Sequence, residues 1–92
     1  MDGATNNSEA HQFEIARDGM LASLTYRERK GRLTLIHTQV PPALEGQGVA
    51  SALARAALEY ARGAGLRVIV LCPFVRSYVE RHKEYADLLN PP

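Results

Sequence analysis

Apolar and polar residues alternate with a period of two from Gln12 to about Val40, which predicts strands with one buried face. Phe13 and Ile15 share a face. Asp18 and Gly19 make a two-residue hairpin turn into a second strand that carries Met20, Ala22, Leu24 and Tyr26 together. The charged, glycine-containing run from Arg27 to Gly31 predicts another turn. A third strand, Arg32 to about Val40, places Leu33, Leu35 and His37 on one side and Thr34, Ile36 and Thr38 on the other. Beyond a glycine-rich turn the period becomes about 3.6, with Val49, Leu53, Ala56 and Tyr60 on one stripe and Ser51, Arg55, Glu59 and Arg62 opposite. This amphipathic helix ends at Gly63 and Gly65, where glycine serves a left-handed cap. Leu66 to Leu71 is almost continuously apolar and β-branched, as expected of a strand covered on both faces. Pro73 suits the first position of a further helix, from about Phe74 to Arg81.

The two ends of the chain read differently. Asp2 to Ala10 is rich in Asn, Ser and Gly without periodicity, so residues 1–11 are expected to be a flexible tail and residues 12–92 a single domain. At the other end, the strand Leu66 to Leu71 would be a sheet edge, and an apolar edge must be paired or covered. Tyr85, Leu88 and Leu89 are expected to lie across it, with dimerisation through the same edge as the alternative.

The strand–helix–strand order in the second half predicts an α/β fold with a right-handed crossover and parallel strands. That arrangement brings both strand ends and the helix start to one sheet edge, where ligands of open α/β sheets bind. The stretch at this edge, Val40 to Ala50, reads VPPALEGQGVA. The first turn of a helix has backbone N–H groups without intrahelical partners, and its dipole puts partial positive charge there, so a phosphate fits. Gly46 and Gly48 let the backbone turn sharply and approach a ligand. Glycines before a helix are also ordinary loop residues. A Walker loop is excluded, because Gly48 is followed by Val49 and Ala50 instead of Lys and Ser or Thr. A dinucleotide fingerprint is disfavoured, because the next strand ends VIVLCP without its acidic residue.

Composition narrows the partners. The 92 residues are 46 % hydrophobic and 23 % charged, the balance of an ordinary globular domain. Eleven basic and ten acidic residues give a net charge of +1, with no long basic block or stacked aromatic platform, so no nucleic-acid partner is expected. One cysteine forms no internal disulfide, and Met1 to His11 offers no apolar signal core; a reducing, cytoplasmic setting is expected. The longest apolar run, Val68 to Cys72, is too short to span a membrane. His11 and His82 lack companions at metal-ligand spacing, so no metal is expected.

Cys72 precedes a helix start, whose unpaired N–H groups favour a thiolate, so it is either a nucleophile or a buried, inert strand-end residue. His37 and Cys72 both fall near the ligand edge. A histidine in line with Leu33 and Leu35 is more often a satisfied core residue than a base; Tyr78, in the last helix, more often packs than reacts.

The motifs HTQVP, GQGVA and LCPFVRSYVERHKEYADL, in this order from His37 to Leu89, resemble the small, single-domain branch of the GNAT superfamily of N-acetyltransferases. The resemblance implies an acyl-CoA N-acyltransferase fold: a three-stranded antiparallel meander, a pyrophosphate-binding helix, a parallel strand and a closing helix. It implies acetyl-CoA as co-substrate, held by Val40, Glu45, Gly46, Gln47, Gly48, Val49, Ala50 and Ser51, with the thioester between the strands ending at His37 and Cys72. Glu45 departs from the family pattern, which has Arg or Gln there. A carboxylate beside a pyrophosphate weakens binding unless it points away or meets a cation. The implied activity is acetyl transfer to an amine of unknown identity, small molecule or protein. Attack is either direct or through Cys72 with His37 as its base, and Tyr78 would return a proton to the departing thiolate. The alternative is a module that binds CoA or acyl-CoA without turnover and acts through a protein partner; a monomer or weak homodimer is expected.

Overall fold

The computed structural model describes residues 3–89. Its sheet has five strands in sequence order: β1 (Thr5–Asn7), β2 (Gln12–Arg17), β3 (Met20–Arg29), β4 (Arg32–Gln39) and β5 (Arg67–Val70). The first four form an antiparallel meander, and β5 returns parallel to β4 after helix α1 (Val49–Ala64). Helix α2 (Pro73–Arg81) and a 3-10 segment, Lys83–Leu88, close the described chain. The order is the expected mixed α/β one, with one strand more.

That extra strand corrects the reading of residues 1–11 as a tail where the chain is described, from residue 3 on; Met1 and Asp2 lie outside the described residues. Thr5, Asn6 and Asn7 pair with Glu14, Phe13 and Gln12. The segment has no apolar alternation because an edge strand is held by its backbone and by polar side chains: Tyr26 donates its hydroxyl to Asn6 Oδ1 at 2.6 Å, and Asn7 Nδ2 donates to Glu14 at 3.0 Å. Two tight turns fix the meander. Asp18 and Gly19 have φ of 55° and 75°, and Lys30 and Gly31 have 52° and 78°. This left-handed pair matches the twist of the strands it joins.

The core lies on one face of the sheet. Leu24, Leu33, Leu35 and Val68 meet Val49, Leu53 and Leu58 of α1 and Val75 of α2, all buried. α1 ends in a glycine cap: Gly65, at φ 72°, donates to Arg62 O, and Leu66 N donates to Ala61 O at 2.9 Å. Both helices pack on this same face and touch each other. The expectation that β5 is covered on both faces is therefore wrong. Val68 and Val70 are buried, Ile69 is half-buried, and Leu71, just beyond the strand, is 61 % exposed.

The edge of β5 is covered as expected. Leu89 forms a parallel bridge with Val68, and Tyr85 and Leu88 are buried. Arg67 donates to the carbonyls of Asp87 and Leu89 at 3.0 and 2.6 Å, while Arg62 pairs with Asp87 at 3.1 Å and donates to Glu84 O at 2.7 Å. Leu88, fully covered, contributes about 1.5–3 kcal/mol.

Candidate active site

The site begins with an irregularity in β4. Thr25 faces His37 and Tyr26 faces Leu35, so Ile36 is an extra residue, a β-bulge. The inward set resumes at Thr38, opposite buried Leu24, and His37 shares the outward side with Ile36; both are exposed. The expected placement of His37 beside Leu33 and Leu35 is thus overturned by one inserted residue, which reverses every side chain after it.

The same place marks the parting of β4 and β5. Their last pair is Leu35 with Val70, and the amides of Leu71 and Cys72 both donate to Leu35 O, at 2.9 and 3.2 Å. β4 runs on to Gln39 while the chain after Cys72 turns into α2. A cleft of about 550 Å³ opens between the diverging segments. Thr38, Gln39 and Val40 form one wall, Phe74 of α2 contributes another, and Leu44 to Gly46 with Gly48 to Ser51 form the mouth.

At that mouth, Pro42–Leu44 makes a 3-10 turn anchored by buried Leu44, and Gly46 and Gly48 take φ of 84° and 77°. Gly48 is the N-cap of α1, with no side-chain cap and no acidic residue in the first turn. The first helical bond is Ala52 N to Gly48 O, so the amides of Val49, Ala50 and Ser51 have no intrahelical acceptor. A Cβ at either glycine meets nothing within 4 Å: the backbone conformation calls for glycine, and the space above it is open. Glu45 is exposed on the cleft rim. A cation stands close by. Arg17, at the end of β2, donates to Gln47 Oε1 at 3.2 Å, and Gln47 Nε2 donates to Ala43 O at 3.3 Å, which ties the loop to the β2–β3 hairpin.

The three catalytic candidates do not converge. Cys72 is 2 % exposed, and its Sγ lies 3.1 Å from Thr38 Oγ1, behind the residue that faces the cleft. His37, on the outer side of β4, is not its partner. Tyr78 is buried, stacked on His82 with ring centroids 4.0 Å apart, and His82 Nδ1 lies 2.9 Å from Tyr78 O. Tyr78 borders a second hollow of about 410 Å³ with Arg55, Glu59 and Tyr85, which shares Gly48 and Ser51 with the cleft. There the Tyr85 phenol is pushed up from its ordinary range, first by burial and then by its bond to Glu59. Among the described residues no group of three or more His, Cys, Asp and Glu is placed to hold a metal, and no helix is long and apolar enough to cross a membrane.

The family model of GCN5-related N-acetyltransferases matches residues 12–88. The chain belongs to that family. It is 31 % identical over 91 residues to protein NATD1 of Mus musculus, covering 94 % of this chain and 83 % of that one. It is 36 % identical over 85 residues to protein NATD1 of Homo sapiens, covering 87 % and 75 %. A solution structure of a GCN5-like protein from Staphylococcus aureus superposes with a TM-score of 0.69 at 34 % identity, covering 86 % of this chain and 80 % of that one. The fold is therefore a small GCN5-related one.

Three site residues escape a sequence reading. Thr38 reaches the cleft only because of the bulge, Arg17 reaches Gln47 across 30 residues of chain, and Phe74 supplies a wall while it packs against the core. Of these, Thr38 alone has a local trace, through the bulge: alternation fails at Leu35–Ile36, two apolar residues in succession.

Proposed function

We propose that this chain transfers an acetyl group from acetyl-CoA to an amine, with the amine attacking the thioester directly. The observation that carries the proposal is an uncapped helix start free of acidic residues at the mouth of a cleft between parting strands. The amides from Gly46 to Ser51 would take the pyrophosphate, with Arg17 offsetting Glu45. Beyond the last β4–β5 pair, the backbone groups that residues 36–39 of β4 turn away from β3 are proposed to align the thioester-bearing arm. The unprotonated amine adds to the carbonyl carbon, the C–S bond breaks, and the thiolate leaves with a proton that the amine nitrogen gives up. Orientation supplies most of the acceleration, because both reactants are held together. Tyr78, in the adjoining hollow that shares Gly48 and Ser51 with the cleft, is proposed to relay that proton: its hydroxyl protonates the departing sulfur and regains a proton from the amine nitrogen.

Direct attack is favoured over a Cys72 relay because Cys72 is buried against Thr38 and His37 faces away. Retention of a free thiol fits a cytoplasmic setting, which we propose as well. A second reading, CoA binding without turnover, draws on Glu45 at the cleft rim. Incubation with acetyl-CoA and a panel of amines, followed by free-thiol release and mass analysis of each amine, separates the two. Transfer to an amine above the uncatalysed rate is expected; binding of acetyl-CoA without any acetylated amine would favour the second reading.

A further inference from the structure

The face of the sheet that carries no helix has two unlike ends. At the β3–β4 hairpin, Arg27 and Arg29 of β3 and Arg32 of β4 point to this outer face, and Lys30 occupies the turn between them. They line a hollow of about 250 Å³ with Thr34. Arg29 stands directly opposite Arg32, and Arg32 is in register with Arg67 of β5. Like charges directly opposite one another destabilise a strand pair. Arg67 is satisfied by carbonyls of the C-terminal segment, but the side chains of Arg27, Arg29, Lys30 and Arg32 make no hydrogen bond or ion pair among the described residues. At the other end of the face, where β4 and β5 part, Ile36 is 39 % and Leu71 61 % exposed, beside half-buried Ile69.

We infer that this face docks the acceptor, and that the acceptor is an extended polypeptide whose amine lies a few residues from a cluster of acidic side chains. The inference rests on the acetyl-transfer reading above. The cleft lies on the helix side of the point where β4 and β5 part, and exposed Ile36 and Leu71 lie near the same point on the outer side, so the proposal has the amine pass between the strands there and meet the thioester from the face opposite α1. From Ile36 back to Arg32 is four residues of β4, about 13 Å at the rise of a strand. An extended chain laid along β4 covers the same distance in four or five residues. Its carboxylates would then reach the basic hairpin while its amine reaches the gap, with apolar side chains against Ile36 and Leu71 between them. Nucleic acid suits the face less well, because a phosphate backbone calls for cations along its whole track, and here they are confined to one end.

The test is fluorescence anisotropy with short labelled peptides that carry one lysine and a block of glutamates four to five residues away, in the presence of saturating CoA. Controls have glutamine in place of glutamate, or the glutamates moved next to the lysine. The expected result is a preference of about tenfold for the spaced acidic peptide, falling as salt is raised. Arg29→Glu/Arg32→Glu should abolish it. The single variant Arg29→Glu leaves an opposite-charge pair in place of a repulsive one, so it keeps the hairpin and should reduce the preference partway. Equal binding of acidic and neutral peptides, or a preference that survives the double reversal, would overturn the proposal. So would a single-stranded oligonucleotide that binds as tightly and ignores Leu71→Ser, or a concentration-dependent dimer abolished by Leu71→Ser. Thermal shift with acetyl-CoA on each variant keeps the two readings apart: loss of peptide preference with the acetyl-CoA shift intact refutes only the docking proposal, whereas no shift in any protein refutes the transfer reading beneath it.

Discussion

Arg17 and Glu45 set the charge at the mouth of the cleft between them. Glu45 puts a carboxylate on the rim, and Arg17 brings a guanidinium to the same loop through Gln47. Arg17→Met should weaken CoA binding about twofold to fivefold, the range of an exposed charge contact, and Glu45→Gln should strengthen it by a similar factor. Calorimetric titration of each variant reads both. Cys72 is the second residue whose role the geometry decides. Its thiol meets Thr38 rather than His37, so Cys72→Ser, which keeps a hydroxyl for that contact, should transfer acetyl groups at a rate within about threefold of the parent, about 0.7 kcal/mol in barrier. A far larger loss, together with an acetyl thioester on Cys72 in the parent's mass spectrum, would show a covalent relay instead. Buried or carboxylate-bound phenols supply a pH signature. Tyr60, bonded to Glu28, is pushed up to about 12 from 10.0, first by that bond, and Tyr26 and Tyr85 also move up, both first by burial. A raised phenol contributes stability that is complete below its unfolded value of 10.0 and lost as pH climbs through the folded one. The melting temperature should therefore hold until about pH 10 and fall above it, and Tyr60→Phe should flatten that fall.

At the scale of elements, the start of α1 carries the proposed ligand and the C-terminal segment protects the sheet. Gly48→Ala should cost about 1–2 kcal/mol, since a Cβ is strained at φ 77° but meets no neighbour, and should leave CoA binding measurable. Gly48→Glu adds a carboxylate where the pyrophosphate is proposed to sit and should abolish the thermal shift by CoA while circular dichroism still reports a folded chain. Deleting residues from Tyr85 onward removes two buried side chains, the Val68–Leu89 bridge, the Asp87 carboxylate that pairs with Arg62 and the carbonyls that accept from Arg67. The truncated chain should melt at lower temperature or associate through β5; a monomer with an unchanged melting temperature would show that the segment protects nothing. Most of these elements were legible because their signals are local: Asp18-Gly19 for the hairpin, Gly65 for the helix cap and Pro73 for the start of α2. β1 was not, because a polar edge strand has no hydrophobic period to read. The bulge left only the adjacent apolar pair Leu35–Ile36 as a trace, because one inserted residue changes pairing more than pattern, yet it moved His37 out of the site and Thr38 into it.

At the scale of the molecule, among the described residues, a single layer of two helices covers one face of a five-stranded sheet, and the cleft lies where the sheet splits at its C-terminal edge. The position of that cleft was legible from chain order alone, since a strand–helix–strand crossover must bring β4, α1 and β5 to a common edge. So were the loop residues that line it, Val40, Glu45, Gly46 and Gly48 to Ser51; Thr38, Leu44 and Phe74 were not, because what they face depends on the bulge and on packing between distant parts of the chain. The account stands or falls on acetyl-CoA occupying this edge with its phosphates on the start of α1. Amide chemical shifts of the isotope-labelled protein, followed while acetyl-CoA is added, test this on the unaltered chain. The account predicts that the largest changes fall on Gly46 to Ser51 and on Ile36 to Gln39 of β4, which β5 leaves without a partner on its side, with the β3–β4 hairpin unmoved. Saturable changes that leave Gly46 to Ser51 in place, or no change at all, would contradict it.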